Sequence, residues 1–157
     1  MSESDNDLAR GETAQPGCDS HSFGTLRVPA RPSYLELVGT VVRWFGRRAG
    51  LSEEQSQELE VAVDEACTNV VRHAFPDGAD GEMTVVFRPT DDGLEVTIQD
   101  RGVPFGPEEG TKIAHEKRSR DPASGGMGLL LIDRLTDAVR YCRDPREGNR
   151  FTLIKRK

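Results

Sequence analysis

Glu65, Asn69 and His73 recur at every fourth position of the stretch VDEACTNVVRHAF, residues 63 to 75, which otherwise places apolar residues at helical spacing. At about 100° per residue, Asn69 falls about 40° and His73 about 80° round from Glu65. By the same count the apolar face of Leu59, Val63, Ala66, Val70 and Ala74 centres at about 130°. The polar stripe therefore follows the edge of the buried face, where side chains can line a cavity between the helix and whatever it packs on. Each residue type has a task it can perform there. A carboxylate accepts a proton from water or a hydroxyl, an amide oxygen is a hard ligand for Mg²⁺, and Arg72 beside them can meet phosphate. Taken alone, the spacing also fits an exposed glutamate and asparagine with a satisfied boundary histidine, because such pairs are common at helix borders.

Two glycine-rich segments add to this. IQDRGVPFGP ends a predicted strand with Asp100, followed by Gly102. An ionised aspartate only accepts hydrogen bonds, which suits an exocyclic amine such as that of adenine, and Gly102 lets backbone approach a flat ring. An ordinary Asx turn leaving a strand would have the same residues. SGGMGLLLID runs Gly125, Gly126 and Gly128 into a helix N-terminus, where free N–H groups and the positive end of the dipole form a phosphate cradle. A flexible hinge before a helix start is the alternative there. Neither GxxxxGK[ST] nor GxGxxG after a strand occurs, so a nucleotide must be held another way.

The elements that position these residues can be read around them. SFGTLRVPA suggests a short strand through Phe23, Leu26 and Val28, stopped by Pro29 and Pro32. SYLELVGTVVRWFGRRAG predicts a helix with Ser33 as its N-cap and Gly50 at its end. Ser52 and Gln55 form a capping box for the next helix, which carries the polar stripe to about Phe75, before Pro76 and DGADG force a turn. EMTVVFRP and LEVTIQD read as a hairpin about TDDG, and AVRYCRD and NRFTLIKRK as a closing hairpin around PREGN. GLLLIDRLTD lies between the hairpins and predicts a third helix. The unpatterned stretch from Arg101 to Gly126 is a lid candidate. This order, strand, two helices, hairpin, loop, helix, hairpin, suits an α+β domain with helices on one face of a mixed or antiparallel sheet, rather than alternating βαβ units.

Composition sets the frame. One domain is the natural count for 157 residues, and 35% hydrophobic with 31% charged residues describes a soluble globular protein. No apolar run approaches the ~18 residues that span a bilayer, and the N-terminus resembles neither a secretory signal nor a transit peptide, so a cytoplasmic protein is expected. Of the net charge of −6, the first 22 residues carry −4, with five acidic side chains against Arg10 alone. They read as a disordered acidic tail. The remainder, at −2, shows no clustered basic face for nucleic acid. Cys18, Cys67 and Cys142 lack metal-ligand spacing and receive no catalytic role.

The order ExxxN on a helix, DxG after a strand, a long loop, then GxG before another helix is more specific than any of its parts. In it the chain resembles the histidine-kinase-like ATPase superfamily, also called GHKL, and looks like its stand-alone anti-sigma-factor serine kinases of bacterial partner-switching systems. DEACTNVVRHAF is similar to their N box, DRGVPFGP to the first glycine box and SGGMGLLLIDRLTD to the second, and the resemblance covers roughly residues 23 to 156. It implies a two-layer α/β sandwich of the Bergerat type, with ATP between the helical layer and a lid over residues 103 to 124. It further implies Glu65 as general base, Asn69 as Mg²⁺ ligand, and Arg72 and His73 flanking the phosphates. Asp100 would read the adenine amine, Gly102 would lie beside the base, and Gly125, Gly126 and Gly128 would bracket the triphosphate. Two departures stand out. Ala123 and Ser124 occupy the place of a basic residue that some relatives aim at the terminal phosphate, the nearest candidates being Arg118 and Arg120 in KIAHEKRSR, which also reads as a solvated loop. Asn149, after Gly148, replaces a threonine.

The activity implied is that of a protein serine kinase: Glu65 takes the proton of a serine hydroxyl on a STAS-type anti-anti-sigma protein, while Mg²⁺ and the glycine turn stabilise the transferring group. The same surface, or one near it, would hold a sigma factor when that partner is phosphorylated, and a homodimer is expected, with no direct contact to nucleic acid or membrane. The alternative is an ATP-gated binding module that sequesters a partner without chemistry, in which Glu65 is dispensable. A water-directed ATPase of the chaperone or mismatch-repair kind would need a transducer domain. A complete sensor histidine kinase would need a preceding phosphoacceptor helix, and His21 and His115 fall in the tail and the loop.

Overall fold

The structure is a computed structural model that describes residues 24–76, 79–104 and 127–157. Alternating apolar side chains lay down five strands: β1 (Gly24–Pro29), β2 (Glu82–Thr90), β3 (Gly93–Asp100), β4 (Ala138–Asp144) and β5 (Gly148–Arg156). They form one sheet in the order β1-β2-β3-β5-β4, and every pairing is antiparallel. Register puts the apolar sets in line. Val28 lies opposite Met83, Val85 opposite Ile98, Phe87 opposite Val96, and Val96 in turn opposite Leu153. These side chains are buried on one face. The other face is polar, with Thr97 and Thr152 sharing a 2.9 Å hydrogen bond and Arg140 reaching Glu95 across β5 at 2.7 Å.

Three helices cover the apolar face: α1 (Leu35–Arg48), α2 (Glu53–Asn69) and α3 (Met127–Leu135). This is the two-layer α+β sandwich that the sequence implied. The capping box forms as read, since Ser52 Oγ accepts from Gln55 N–H at 3.1 Å and Gln55 Oε1 accepts from Ser52 N–H at 2.9 Å. α2 buries Leu59, Ala62, Val63, Ala66 and Cys67. α1 and α2 cross closely, and a Cβ on Gly46 would come within 2.7 Å of Ser56 Oγ.

Three helix ends differ from expectation. Ser33 is not an N-cap: it sits inside a 3-10 turn, Pro32–Tyr34, which Pro32 opens after the extended Arg31, and α1 begins at Leu35 without a side-chain cap. α-Helical bonding in α2 stops at Asn69, and the chain continues as a π-helical turn, Val70–Ala74, that buries Val70 and Ala74. The Ala74 carbonyl accepts the Val103 N–H at 2.7 Å, so the segment after β3 closes off this helix end. α3 ends at Leu135 rather than Asp137, because Asp137 N–H already bonds Ile154 of β5 at 2.9 Å. Lys155 Nζ caps the Leu135 carbonyl at 3.0 Å and also meets Glu58 at 2.6 Å, tying α2, α3 and β5 together. The acidic tail over residues 1 to 22 and the lid expectation beyond Pro104 lie outside the described residues.

Candidate active site

β3 ends at the open end of the sheet, and its last residue, Asp100, faces the helical layer in the same row as Ile98. Above it run the last turns of α2. Between them lies a pocket walled by Ala66, Asn69, Val70 and Ala74 on the helical side and by Ile98, Asp100, Tyr141, Asn149 and Phe151 on the sheet side. Of the polar stripe, Asn69 lines this pocket, and Glu65 and His73 do not.

Asp100 is 8% exposed. Its Oδ1 accepts the Gly102 N–H at 2.8 Å and an amide hydrogen of Asn149 at 2.9 Å. No other described residue donates to this carboxylate. The Asx turn is therefore real, and it coexists with a carboxylate that keeps one oxygen for the pocket. Gly102 is required for close approach: a Cβ there would lie 2.2 Å from the Ala74 carbonyl oxygen.

On the helical wall, Asn69 is half-buried and lines the same pocket as Asp100. Glu65, one turn earlier, is also half-buried, and a Cβ on Gly128 would lie 2.8 Å from its Oε2. The second glycine box and the glutamate therefore meet at the start of α3, brought together by the packing of α3 on α2. Among the described residues neither the Glu65 nor the Asn69 side chain has a hydrogen bond or ion pair. Arg72 and His73, on the π-helical turn, are exposed and do not line the pocket. Gly125 and Gly126 lie outside the described residues, as do Arg118 and Arg120.

The residues present suit a magnesium nucleotide. Mg²⁺ retains several waters and is held by one or two protein oxygens plus substrate phosphates. A single uncommitted amide oxygen in the wall meets that need, and among the described residues there is no cluster of three or more acidic, histidine or cysteine ligands to hold a dehydrated ion. Apolar walls with one buried carboxylate at the far end suit an aminopurine.

Two pocket residues escaped the sequence reading. Asn149 was noted only as a replacement, yet it is 5% exposed and bonds Asp100, and it also donates to the Gly102 carbonyl at 3.1 Å. Tyr141 O–H reaches Asn149 Oδ1 at 3.3 Å from the edge strand β4. Cross-strand register, which pairs Asp100 with Asn149, was the missing signal. Cys67 stays out of the chemistry: burial foremost, and then Asp64, pushes its thiol up to about 12, leaving no thiolate there near neutrality.

Comparison with known proteins gives the family. The family profile described as the histidine kinase-like ATPase domain matches residues 28–155. A Listeria innocua protein named serine-protein kinase RsbW is 38% identical over 144 residues, covering 86% of this chain and 87% of its own. Proteins of the same name from Oceanobacillus iheyensis and Bacillus subtilis are 34% and 32% identical, over 77% and 73% of this chain and 79% and 74% of theirs. No helix among the described residues is long and apolar enough to cross a membrane. A pocket walled by a buried carboxylate and an uncommitted asparagine, together with the family match over residues 28–155 and these relatives, places the protein in the histidine kinase-like ATPase family, within its branch of ATP-dependent serine-protein kinases.

Proposed function

We propose that the protein transfers the terminal phosphoryl group of ATP to a serine of a STAS-type anti-anti-sigma protein, and holds a sigma factor when that partner is phosphorylated. The observation that carries this reading is the position of Glu65: half-buried, without a partner among the described residues, against the start of α3 and one turn from Asn69. A carboxylate so placed is within reach of a hydroxyl brought to the terminal phosphate and is not neutralised by an ion pair, so it can accept the serine proton. Asn69 holds the metal through its amide oxygen. Bound Mg²⁺ supplies charge neutralisation on the phosphate oxygens. Arg72 and His73 flank the phosphates, and Gly125, Gly126 and Gly128 bracket them.

At the other end, Asp100 accepts the adenine amine while Gly102 keeps the backbone close to the ring. Apolar walls exclude water and fix the nucleotide, which orients its phosphates toward Glu65. The protein works in the cytoplasm as a homodimer, the state in which one surface per protomer can serve either partner.

Incubation of the protein with labelled ATP, Mg²⁺ and STAS-domain proteins encoded near it tests the reading. Label is expected on a serine of one of them, and sedimentation should show a dimer that binds a sigma factor more tightly once that partner carries phosphate. Asn69→Ala should lose the Mg²⁺-dependent part of nucleotide binding. Nucleotide-dependent capture of a partner that never acquires label would leave a gated clamp instead of a kinase.

A further inference from the structure

The polar group that controls Asp100 is itself controlled from two strands away. Asn149 sits opposite Asp100 in the β3–β5 ladder, and Tyr141 reaches it from β4. Asn149 Nδ2 donates both to Asp100 Oδ1 at 2.9 Å and to the Gly102 carbonyl at 3.1 Å, while its Oδ1 accepts from Tyr141 O–H at 3.3 Å. Two acceptors at one end and a hydroxyl at the other settle which way the amide faces. Asp100 Oδ1 is then saturated, because the Gly102 N–H already occupies it at 2.8 Å. The carboxylate cannot rotate without breaking two hydrogen bonds in a site where replacement by water is restricted: Asp100, Asn149 and Tyr141 are 8%, 5% and 9% exposed.

We propose that Asn149, held by Tyr141, is the positioning residue that presents Asp100 Oδ2 to the pocket and so sets its preference for a purine bearing an exocyclic amine. This rests on the assignment of Asp100 as the base reader. A fixed acceptor-only oxygen gains a hydrogen bond from an amine, gains nothing from a ring without one, and is repelled by a ring oxygen in the same place. If the carboxylate is free to turn, it can turn away from the wrong base and the penalty falls. Asparagine does this work in a way that threonine cannot. A hydroxyl has one hydrogen, so it serves either Asp100 or the Gly102 carbonyl, while the amide serves both and still offers an acceptor to Tyr141.

Calorimetric titration with three diphosphates, ADP, purine riboside diphosphate and IDP, reads the effect as a ratio of affinities, with circular dichroism and thermal unfolding on every variant. The wild type is expected to favour ADP over the purine analogue by roughly 10- to 100-fold. In Asn149→Ala that ratio should collapse to within about threefold, chiefly through weaker ADP binding, with Asn149→Thr intermediate and Tyr141→Phe showing a smaller narrowing. A purely structural role would weaken all three ligands alike and leave the ratios unchanged. If Asn149→Ala does not fold, Asn149→Thr and Tyr141→Phe carry the test. Folded variants that discriminate as the wild type does would overturn the proposal alone. A wild type that binds ADP and its analogues equally would overturn the role of Asp100, and the proposal with it.

Discussion

At the Asp100 end of the pocket, Asp100, Gly102, Asn149 and Tyr141 hold one another through four hydrogen bonds between 2.8 and 3.3 Å. Along α2, Glu65 and Asn69 hold nothing among the described residues. The proposed function gives the two regions different ligand chemistry. An adenine ring is uncharged and gains most from an acceptor fixed in advance, since the cost of ordering that acceptor was met when the sheet folded. Phosphates and a metal arrive with their own charge. Side chains that must ligate or take a proton there cannot already be paired, so they stay half-exposed and solvated until the ligand organises them. On the proposed assignment, recognition is built into the sheet register, whereas catalysis depends on groups kept available.

The largest effect should come from the uncommitted end. Glu65→Gln keeps shape and polarity but cannot accept a proton, so phosphoryl transfer in a labelled-ATP assay should fall by roughly 10²- to 10⁴-fold while ADP affinity stays within a few-fold. Unchanged transfer would remove Glu65 as general base and erase the contrast. Asp100→Ala probes the organised end. It removes the proposed acceptor of the base, one acceptor of the Asn149 amide and the acceptor of the Gly102 N–H, so ADP affinity should drop by about 10- to 100-fold in calorimetry. The sharper comparison is between parameters. Asp100→Ala should act through binding, whereas Glu65→Gln should act through turnover.

Gly128→Ala tests the junction of the two plans with a smaller expected change. A methyl there would approach Glu65 Oε2 to 2.8 Å, so the carboxylate or the helix start must give way. Turnover should fall by about tenfold through misplacement of the base. In α3, alanine is a better helix former than glycine by up to about 1 kcal/mol. Thermal stability should therefore hold or rise as activity falls. A parallel loss of both would mean that the glycine serves folding rather than the placement of Glu65.

Much of this site was legible in the sequence because it rests on local spacing. Glu65 and Asn69 fall one turn apart on any helix, and the Ser52–Gln55 box fixed where that helix starts. Asp100 and Gly102 were legible as a strand end and its turn. What escaped depends on contacts between distant segments. Asn149 and Tyr141 matter only because β5 lies between β3 and β4, a sheet order that no short window contains. The stop of α2 has the same origin, because the Ala74 carbonyl finds Val103 from another segment, whereas the shifted start of α1 is local: Pro32 after the extended Arg31 opens a 3-10 turn. Burial of α2 was legible from its apolar spacing, but its change to a π-helical turn at Val70 was not, since residues 70 to 74 contain neither proline nor glycine to mark a break.

The smallest effect expected lies far from the pocket and separates stability from recognition. Ser56 is fully buried where α2 crosses α1, and its hydroxyl has no hydrogen-bond partner among the described residues. An unsatisfied buried hydroxyl carries its desolvation cost without return. Ser56→Ala removes that cost and replaces serine by a stronger helix former, against a slight loss of packing on Gly46. Stability should rise by about 0.5 to 1 kcal/mol, seen as a melting point higher by about 2 to 4 °C. ADP affinity and transfer should not move, because neither network of the pocket touches this crossing. A lower melting point would show that the hydroxyl is bonded in solution. Unchanged stability with altered nucleotide affinity would show instead that the α1–α2 crossing sets the placement of Glu65 and Asn69, making the uncommitted wall depend on packing well beyond its own residues.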